Sequence, residues 1–149
     1  MPSKSQTKQN KSMWTCPKCE RIFERAKQQH TCATKPIEEH FVNRHEAYLL
    51  YQKLLKNIGS KVGRFKVLSI PCCIHLFANY DFMAILPKKD GVLELRFALD
   101  KKLVSKRITA CVPLSFKSYK NCLLINSAKD IDSELIKWLK ESYSLKSND

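Results

Sequence analysis

Four metal-binding side chains near the amino terminus restrict most strongly what this chain can fold into. Two residues separate Cys16 from Cys19, ten separate Cys19 from His30, and one separates His30 from Cys32. The short gap lets both thiolates of a tight turn point at one ion, and the longer gap leaves room for a hairpin or helical turn. Three thiolates and one imidazole form a closed tetrahedral set for Zn²⁺. The sequence therefore predicts a structural zinc knuckle at residues 14–35.

Two other readings of these cysteines are ordinary buried thiols and a disulfide. The segment is too polar to build a core of its own, and Phe23 is the one large apolar residue available to pack under the site. A two-cysteine, two-histidine finger that reads bases needs a longer helix before its histidine pair. The spacing therefore favours a structural knuckle over a DNA-reading finger.

Charge is the next constraint, because the chain carries a formal net charge of +13 over 149 residues. Residues 1–36 hold eight basic and two acidic side chains, and residues 59–110 hold ten and four. Such an excess favours anionic partners, DNA or RNA first, although surface lysines also serve solubility alone. Residues 1–13 have almost nothing to bury and are predicted to form a disordered basic tail.

The amino terminus is polar, and no apolar run reaches the length of a signal peptide or a membrane span. We therefore expect a cytoplasmic protein without membrane association. In that reducing compartment clustered cysteines more often hold metal than form disulfides. The other four cysteines lie in apolar runs and are predicted to be small core residues: Cys72, Cys73, Cys111 and Cys122.

Two helices are predicted, one on each side of a run of strands. After Pro36 an apolar stripe spaced mostly by three and four residues favours a helix, which Asn43 interrupts and Gly59 ends as a left-handed cap. Residues 127–130 fit a capping box, and Asp132 is a competing cap for the final helix.

Between the helices, alternation and turn signals predict five or six strands at residues 64–68, 74–77, 82–86, 92–100, 108–112 and 121–125. Each has one polar face, as expected of an antiparallel sheet covered on one side only. The predicted fold class is α+β: an amino-terminal zinc knuckle, then an antiparallel sheet of about five or six strands flanked by two helices. Residues 36–145 form the α+β domain.

The knuckle and this order of elements resemble a family of small bacterial proteins known as domain of unknown function 5655. The matching residues in the knuckle are Trp14, Cys16, Pro17, Cys19, Phe23, Gln28 or Gln29, His30 and Cys32. Further matches are Phe41, Gly59, residues 74–86, residues 91–95, residues 130–132 and the pair Trp138 and Leu139. The resemblance spans about residues 13–145 and is most specific at the knuckle. The chain is also similar to the MmcQ/YjbR type of fold, which implies a compact sheet-and-helix domain with suggested nucleic-acid binding.

One position departs from the knuckle pattern. A glycine commonly follows the second cysteine in knuckles of this type, because the turn there favours a positive φ. Glu20 occupies that position in this sequence, at some conformational cost.

Enzyme chemistry finds little support in the sequence. With only three glycines the chain has no phosphate-binding or dinucleotide-binding loop, so no nucleotide cofactor is expected. The sharpest candidate is Cys73 with His75, which share one face of a strand and could form a thiolate–imidazole pair. No third group that would orient the histidine is identifiable, and the acidic residues are scattered. We therefore expect a protein that is not an enzyme.

The binding hypothesis rests on basic residues around the sheet. The candidate nucleic-acid contacts are Lys61, Arg64, Lys66, Arg96, Lys101, Lys102 and Arg107. If the exposed face collects Arg64, Lys66 and Arg96, it offers a platform for phosphates, and Tyr80, Phe116 and Tyr119 could stack on bases. The sequence thus predicts a zinc-containing protein that binds nucleic acid with little sequence specificity. The alternative is a protein-interaction adaptor that holds a partner chain.

Overall fold

A computed structural model of the chain describes residues 14–23, 25–30 and 32–147, so the predicted basic tail at residues 1–13 lies outside the described residues. Two short strands, β1 (Trp14–Thr15) and β2 (Ile22–Phe23), pair around the metal-ligand motif. The main sheet contains β3 (Lys66–Ile70), β4 (Cys73–Phe77), β5 (Asp81–Pro87), β6 (Leu93–Leu99), β7 (Ile108–Ser115) and β8 (Ser118–Ile125). The helices are α1 (Ile37–His40), α2 (His45–Lys61) and α3 (Ser133–Ser147), with a short 3₁₀ helix at Ala128–Asp130.

The six strands of the main sheet lie in the order β3-β4-β5-β6-β8-β7, and every neighbouring pair is antiparallel. This arrangement confirms the predicted α+β class, with its six-stranded sheet and two main helices. Strands β7 and β8 extend beyond their predicted bounds because a tight turn joins them, with Lys117 at a φ of 59°.

Both main helices pack against the same face of the sheet. Strand β6 shows the predicted alternation, since Leu93, Leu95, Phe97 and Leu99 are buried under the helices. The residues that alternate with them point to the other face, which we call the open face. One row across it joins His75, Ala84, Arg96 and Cys122 on four neighbouring strands.

The first main helix begins as predicted and ends elsewhere. Asn43 has a φ of 61° and separates α1 from α2, which confirms the predicted break. The predicted cap at Gly59 is wrong, because α2 continues through it to Lys61. Close packing requires glycine at Gly63 instead, because an added Cβ there would lie 2.6 Å from the ring of Tyr143. No helix in the described part of the chain is both long and apolar enough to cross a membrane.

Both predicted caps near the final helix exist, and each closes a different element. The capping box of Ser127 and Asp130 closes the 3₁₀ helix. Asp132 accepts a hydrogen bond from the Leu135 amide at 3.0 Å and so caps α3. Arg107 donates from Nη1 to both carboxylate oxygens of Asp132, at 3.0 and 3.2 Å. The start of α3 is thereby held to the loop that follows β6.

The end of α3 is held by the turn between β4 and β5. The backbone amides of Asn79 and Tyr80 donate to the Lys146 carbonyl at 3.1 and 2.9 Å. The Asn79 side-chain amide donates to the Ser147 carbonyl at 2.5 Å. Carbonyl groups in the last turn of a helix have no partner within the helix. This turn supplies partners for two of them.

The segment between the knuckle and the sheet domain is fixed to the edge of strand β3. The Lys35 amide donates to the Ser69 carbonyl at 3.0 Å. The buried His40 ring lies 2.9 Å from the Ser69 hydroxyl through Nε2. The connection therefore follows the β3 edge before α1 begins.

We expect Asp132→Ala to lower the free energy of unfolding by about 1–2 kcal/mol, because α3 loses its N-cap acceptor and Arg107 loses a carboxylate partner. Urea unfolding at neutral pH measures the change. Exposed Lys129, changed to alanine, is the control and should alter the free energy of unfolding by less than about 0.5 kcal/mol. An unchanged urea midpoint for Asp132→Ala would contradict this role.

The same contact has a pH dependence of known sign. Burial alone would raise the pKa of Asp132, but the Leu135 amide and Arg107 outweigh it and lower that pKa. A lowered carboxylate pKa stabilises the fold fully above the ordinary value of about 3.8 and loses this effect as the pH falls through the lowered value. The difference between wild type and Asp132→Ala should therefore shrink on acidification below that range.

Candidate metal centre

The four ligands predicted from the sequence come together at one end of the β1–β2 ribbon. The Glu20 amide donates to the Cys16 carbonyl at 2.8 Å, and the Cys16 amide donates to the Arg21 carbonyl at 2.9 Å. These bonds close a tight turn that points both Cys16 and Cys19 to the same side. His30 and Cys32 return from the following segment, so that all four donor atoms lie within 4.8 Å of one another.

The separations among these donor atoms suit one tetrahedral divalent ion. The Sγ atoms of Cys16 and Cys32 are 3.6 Å apart, and His30 Nε2 lies 3.4 Å from Cys19 Sγ and 3.3 Å from Cys32 Sγ. Metal–sulfur bonds of about 2.3 Å and a metal–nitrogen bond of about 2.0 Å imply sulfur–sulfur distances of about 3.8 Å and sulfur–nitrogen distances of about 3.5 Å. The cluster is therefore a candidate metal site, with the ligands that the spacing predicts.

Protein groups outside the four ligands orient them. His30 Nδ1 lies 2.7 Å from the Gln28 carbonyl, which leaves Nε2 to face the thiols. The rings of Phe23 and His30 are in contact at a tilt of 32°, with centroids 4.3 Å apart, and the Trp14 ring lies 5.9 Å from both. Phe23 thus packs under the site as predicted, and Trp14 shares that role.

Hydrogen bonds in the turn already favour thiolates at two positions. The backbone amide of Cys19 is the main cause that lowers the pKa of Cys16 to about 6, against an opposing effect of burial. Burial would raise the pKa of Cys19, but hydrogen bonds from Arg21 outweigh it and lower that pKa. Burial, followed by the two neighbouring thiols, raises the pKa of Cys32 to about 11. Because its pKa is raised, Cys32 would need a bound cation to stabilise its thiolate.

The predicted strain after the second cysteine is present. Glu20 has a φ of 63°, in the left-handed region that glycine adopts at no steric cost. The turn keeps its shape because the Cys16–Glu20 and Cys16–Arg21 backbone bonds determine it.

A second cluster of potential ligands lies on the open face, at the start of β4. Cys73 Sγ lies 3.1 Å from His75 Nε2 and 2.8 Å from Cys72 Sγ. His75 Nδ1 lies 2.5 Å from a carboxylate oxygen of Asp81. No third group for the pair of Cys73 and His75 was identifiable from the sequence, and the structure corrects this by placing Asp81 beside the ring. A bulge at the end of β4 brings the first residue of β5 back beside His75.

Only two of the four remaining cysteines are core residues as predicted. Cys73 and Cys122 are buried, and burial raises the pKa of Cys73 to about 12 and raises that of Cys122. Cys72 is exposed because it lies in the β3–β4 turn, before the strand begins. Cys111 is half-buried on the edge strand β7, which has a neighbour on one side only.

The basic residues predicted to bind nucleic acid do not share one surface. Lys66 and Arg96 lie on the open face, and Arg96 Nε pairs with Glu94 at 2.8 Å. Lys61 lies in the last turn of α2, outside the sheet. Arg64 was expected within the strand predicted at residues 64–68, but it precedes β3.

The other three predicted contacts lie in the loop after β6. Lys101 pairs with Glu141 of α3 at 3.3 Å, beside a cavity of about 1110 Å³ that Lys61 also lines. Lys102 Nζ lies 5.6 Å from the centre of the Tyr119 ring. Arg107 pairs with two carboxylates at the start of α3, so its guanidinium serves the fold.

We expect Glu20→Gly to raise the affinity of the knuckle for added Zn²⁺ about two- to fivefold, because it removes the steric cost of the left-handed turn and adds some chain entropy to the unfolded state. Competition with a chromophoric chelator measures the affinity. Ala26→Gly, at an exposed position with ordinary φ in the same segment, is the control and should give no gain. Equal or weaker binding by Glu20→Gly would show that the turn is not strained in the metal-bound state.

Comparison with known proteins places the sheet domain in a family. The chain matches a family described as "Domain of unknown function (DUF5655)" over residues 37–146, which hold both main helices and the whole six-stranded sheet. The match begins after the knuckle, so it does not cover the segment where the resemblance is predicted to be most specific. Similarity to the MmcQ/YjbR type stays a prediction. No curated protein and no solved structure matches the chain significantly. Because the family match covers well over half of its length, the chain belongs to the DUF5655 family.

Proposed function

We propose that this protein is a non-enzymatic zinc-binding protein that holds DNA or RNA with little sequence specificity. The observation that carries the proposal is a groove between the knuckle and the sheet domain, lined by aromatic rings and cationic side chains. The knuckle forms one wall of that groove. In this proposal the metal ion acts indirectly, by fixing the shape of that wall.

The donor set supports zinc as the ion. Three sulfurs and one imidazole nitrogen are typical of structural zinc, whereas Mg²⁺ and Ca²⁺ prefer oxygen ligands. The four side chains complete a tetrahedron and leave no position for a substrate. Such an ion would fold the segment around it and would not take part in a reaction.

The groove has a volume of about 750 Å³ and the chemistry of a single-strand binding surface. Its lining includes side chains from both sides: Phe23, Arg25, Phe77, Tyr80 and Lys146. Asp81 is the one carboxylate that lines it among the described residues, and that carboxylate contacts His75. Aromatic faces stack on bases of any sequence, and cations attract the phosphates between them. The lining therefore suits an unpaired strand without base preference.

The tip of the β7–β8 hairpin extends this surface. Leu114, Ser115 and Ser118 line the groove, and Phe116 projects beyond them with 88% of its surface exposed. Lys117 Nζ lies 5.4 Å from the centre of the Phe116 ring. An exposed ring beside a cation is a platform on which one further base could stack. The sequence predicts Phe116 as a stacking residue, but it does not single out the cations Arg25, Lys117 and Lys146.

The edge strand β7 favours a second candidate function, a protein-interaction adaptor. Val112, Leu114 and Phe116 on this strand and its turn are exposed by 42, 53 and 88%. A strand with one free edge can pair with an extended segment of another protein. Pro113 removes one donor from that edge and weakens the argument.

Native mass spectrometry of the reduced full chain should find bound zinc that a chelator removes. Cys19→Ser should lose one equivalent of zinc relative to wild type, because three remaining ligands hold the ion far more weakly. Cys111→Ser, outside both clusters, is the control and should keep the wild-type content. Wild-type zinc content in Cys19→Ser would contradict the knuckle site.

Fluorescence anisotropy with labelled mixed-sequence single strands should show binding that weakens steeply as salt rises. For single-stranded DNA, the double variant Arg25→Ala/Lys117→Ala should reduce the slope of log K against log salt by about 1.4, because two phosphate contacts are lost. Phe116→Ala should cost about 1–3 kcal/mol of binding free energy through lost stacking.

The matched control is Lys53→Ala/Lys56→Ala, which removes the same charge from exposed positions on α2, away from the groove. It should leave the slope unchanged. Equal losses in the two double variants would indicate non-specific attraction by net charge. No binding at low salt would contradict the proposal, and a partner protein retained after nuclease treatment would then favour the adaptor.

A further inference from the structure

We infer a second metal-binding site on the open face of the sheet, formed by Cys72, Cys73 and His75, with one coordination position left open toward a cavity. The three donor atoms, two Sγ and one Nε2, lie within 4.8 Å of one another. Their residue types match the ligands of a thiolate-preferring divalent ion such as Zn²⁺. This site is separate from the knuckle and shares no residue with it.

The backbone explains why these three side chains meet. Cys73 and His75 are two residues apart on β4, so both point to the open face. Cys72 belongs to the turn before the strand and is therefore free of that alternation. Its side chain turns to the same side as Cys73, with the two sulfurs 2.8 Å apart. Tetrahedral ligation needs about 3.8 Å between sulfurs. Rotation of the exposed Cys72 side chain supplies the difference.

Asp81 completes the arrangement as an outer partner of His75. Metal-binding histidines commonly direct the second ring nitrogen to a carboxylate, which fixes the tautomer and the orientation of the ring. His75 Nδ1 lies 2.5 Å from Asp81 Oδ2, while Nε2 points to Cys73 Sγ at 3.1 Å. The ring is thus oriented with Nε2 toward the two thiols. This carboxylate is the feature that distinguishes the cluster from cysteines that merely pack beside a histidine.

The fourth coordination position faces a cavity of about 350 Å³. Its walls include the apolar residues Ala98 and Leu114 and the cationic residues Arg96, Lys120 and Lys146. Among the described residues that line it, Asp81 is the one carboxylate. No fourth protein ligand belongs to the cluster in the described part of the chain. Water or a small anion is therefore the ligand class that would complete the coordination, because positive side chains surround the opening.

Cobalt titration of the reduced full chain tests the site, since Co²⁺ bound by thiolates absorbs strongly and replaces Zn²⁺. Wild type should bind two equivalents. Cys72→Ser, His75→Ala and Cys19→Ser should each bind one, and Cys19→Ser/His75→Ala should bind none. Asp81→Asn should keep two sites but weaken one of them by about 10- to 100-fold. Cys111→Ser is the control and should bind two.

A single equivalent in wild type that His75→Ala does not reduce would overturn the inference, whatever the knuckle variants show. Cys72 is exposed, so Cys72→Ser should keep the wild-type melting temperature and remains informative if His75→Ala fails to fold. If Cys19→Ser loses cobalt while Cys72→Ser and His75→Ala keep the wild-type content, the knuckle site is supported and the second site is contradicted.

Azide tests the open position. Added to Cys19→Ser loaded with cobalt, it should shift the visible bands, because an anion can enter the coordination sphere of the remaining ion. The same addition to Cys72→Ser, which keeps only the closed knuckle, should leave the bands unchanged. An unchanged spectrum in Cys19→Ser would show that the site is closed and overturn the inference of an open position.

Discussion

One-sided burial is the constraint on which the rest of this structure depends. Both main helices pack against the same face of the sheet, and alternate residues of the strands supply the apolar core beneath them. Burying that face is the main source of folding free energy. The opposite face is left without a helical cover. On that face Ile70, Cys73 and Ala84 form a small buried cluster with Leu68 and Leu86, and the polar side chains of His75 and Arg96 lie beside it.

The predictable parts of the fold are those in which local chemistry decides the outcome. Strand β6 follows strict alternation and Asp132 caps α3, both as the sequence indicates. The grouping of the four knuckle ligands was predictable because they are close in sequence, so that local chain geometry brings them together. Gly59 does not end α2, because the helix continues to Lys61 and its buried residues extend to Ile58.

The features that the sequence did not predict depend on contacts between distant elements. Asp81 reaches His75 because of a bulge, and no local pattern marks a bulge at that position. Arg107 looked available for phosphates, yet carboxylates from the start of α3 bind it. The groove combines the knuckle with the far end of the sheet, so its cations could not be selected from one strand. For Asp81, Arg107 and the cations of the groove, the partners of each side chain depend on tertiary structure and not on residue type.

The two cysteine–histidine clusters show how the number of ligands separates two roles. The knuckle offers four donors held by its own hairpin and packed aromatic rings. The cluster on β4 offers three donors, a carboxylate behind the histidine and a cavity in front. Closed coordination suits an ion that supports shape, and open coordination suits an ion that receives a ligand. The linings of the groove and the cavity share three residues, Leu114, Asp81 and Lys146.

The hydrogen bonds between Asn79 and the last carbonyls of α3 connect the carboxyl-terminal helix to the loop that precedes Asp81. The turn that receives the helix end leads directly into Asp81, two residues beyond Asn79. Fraying of the final helical turn would loosen that loop, and the carboxylate behind His75 would lose its fixed position. Order in the last residues of α3 would thus help to fix the imidazole ring of His75 through this turn and Asp81.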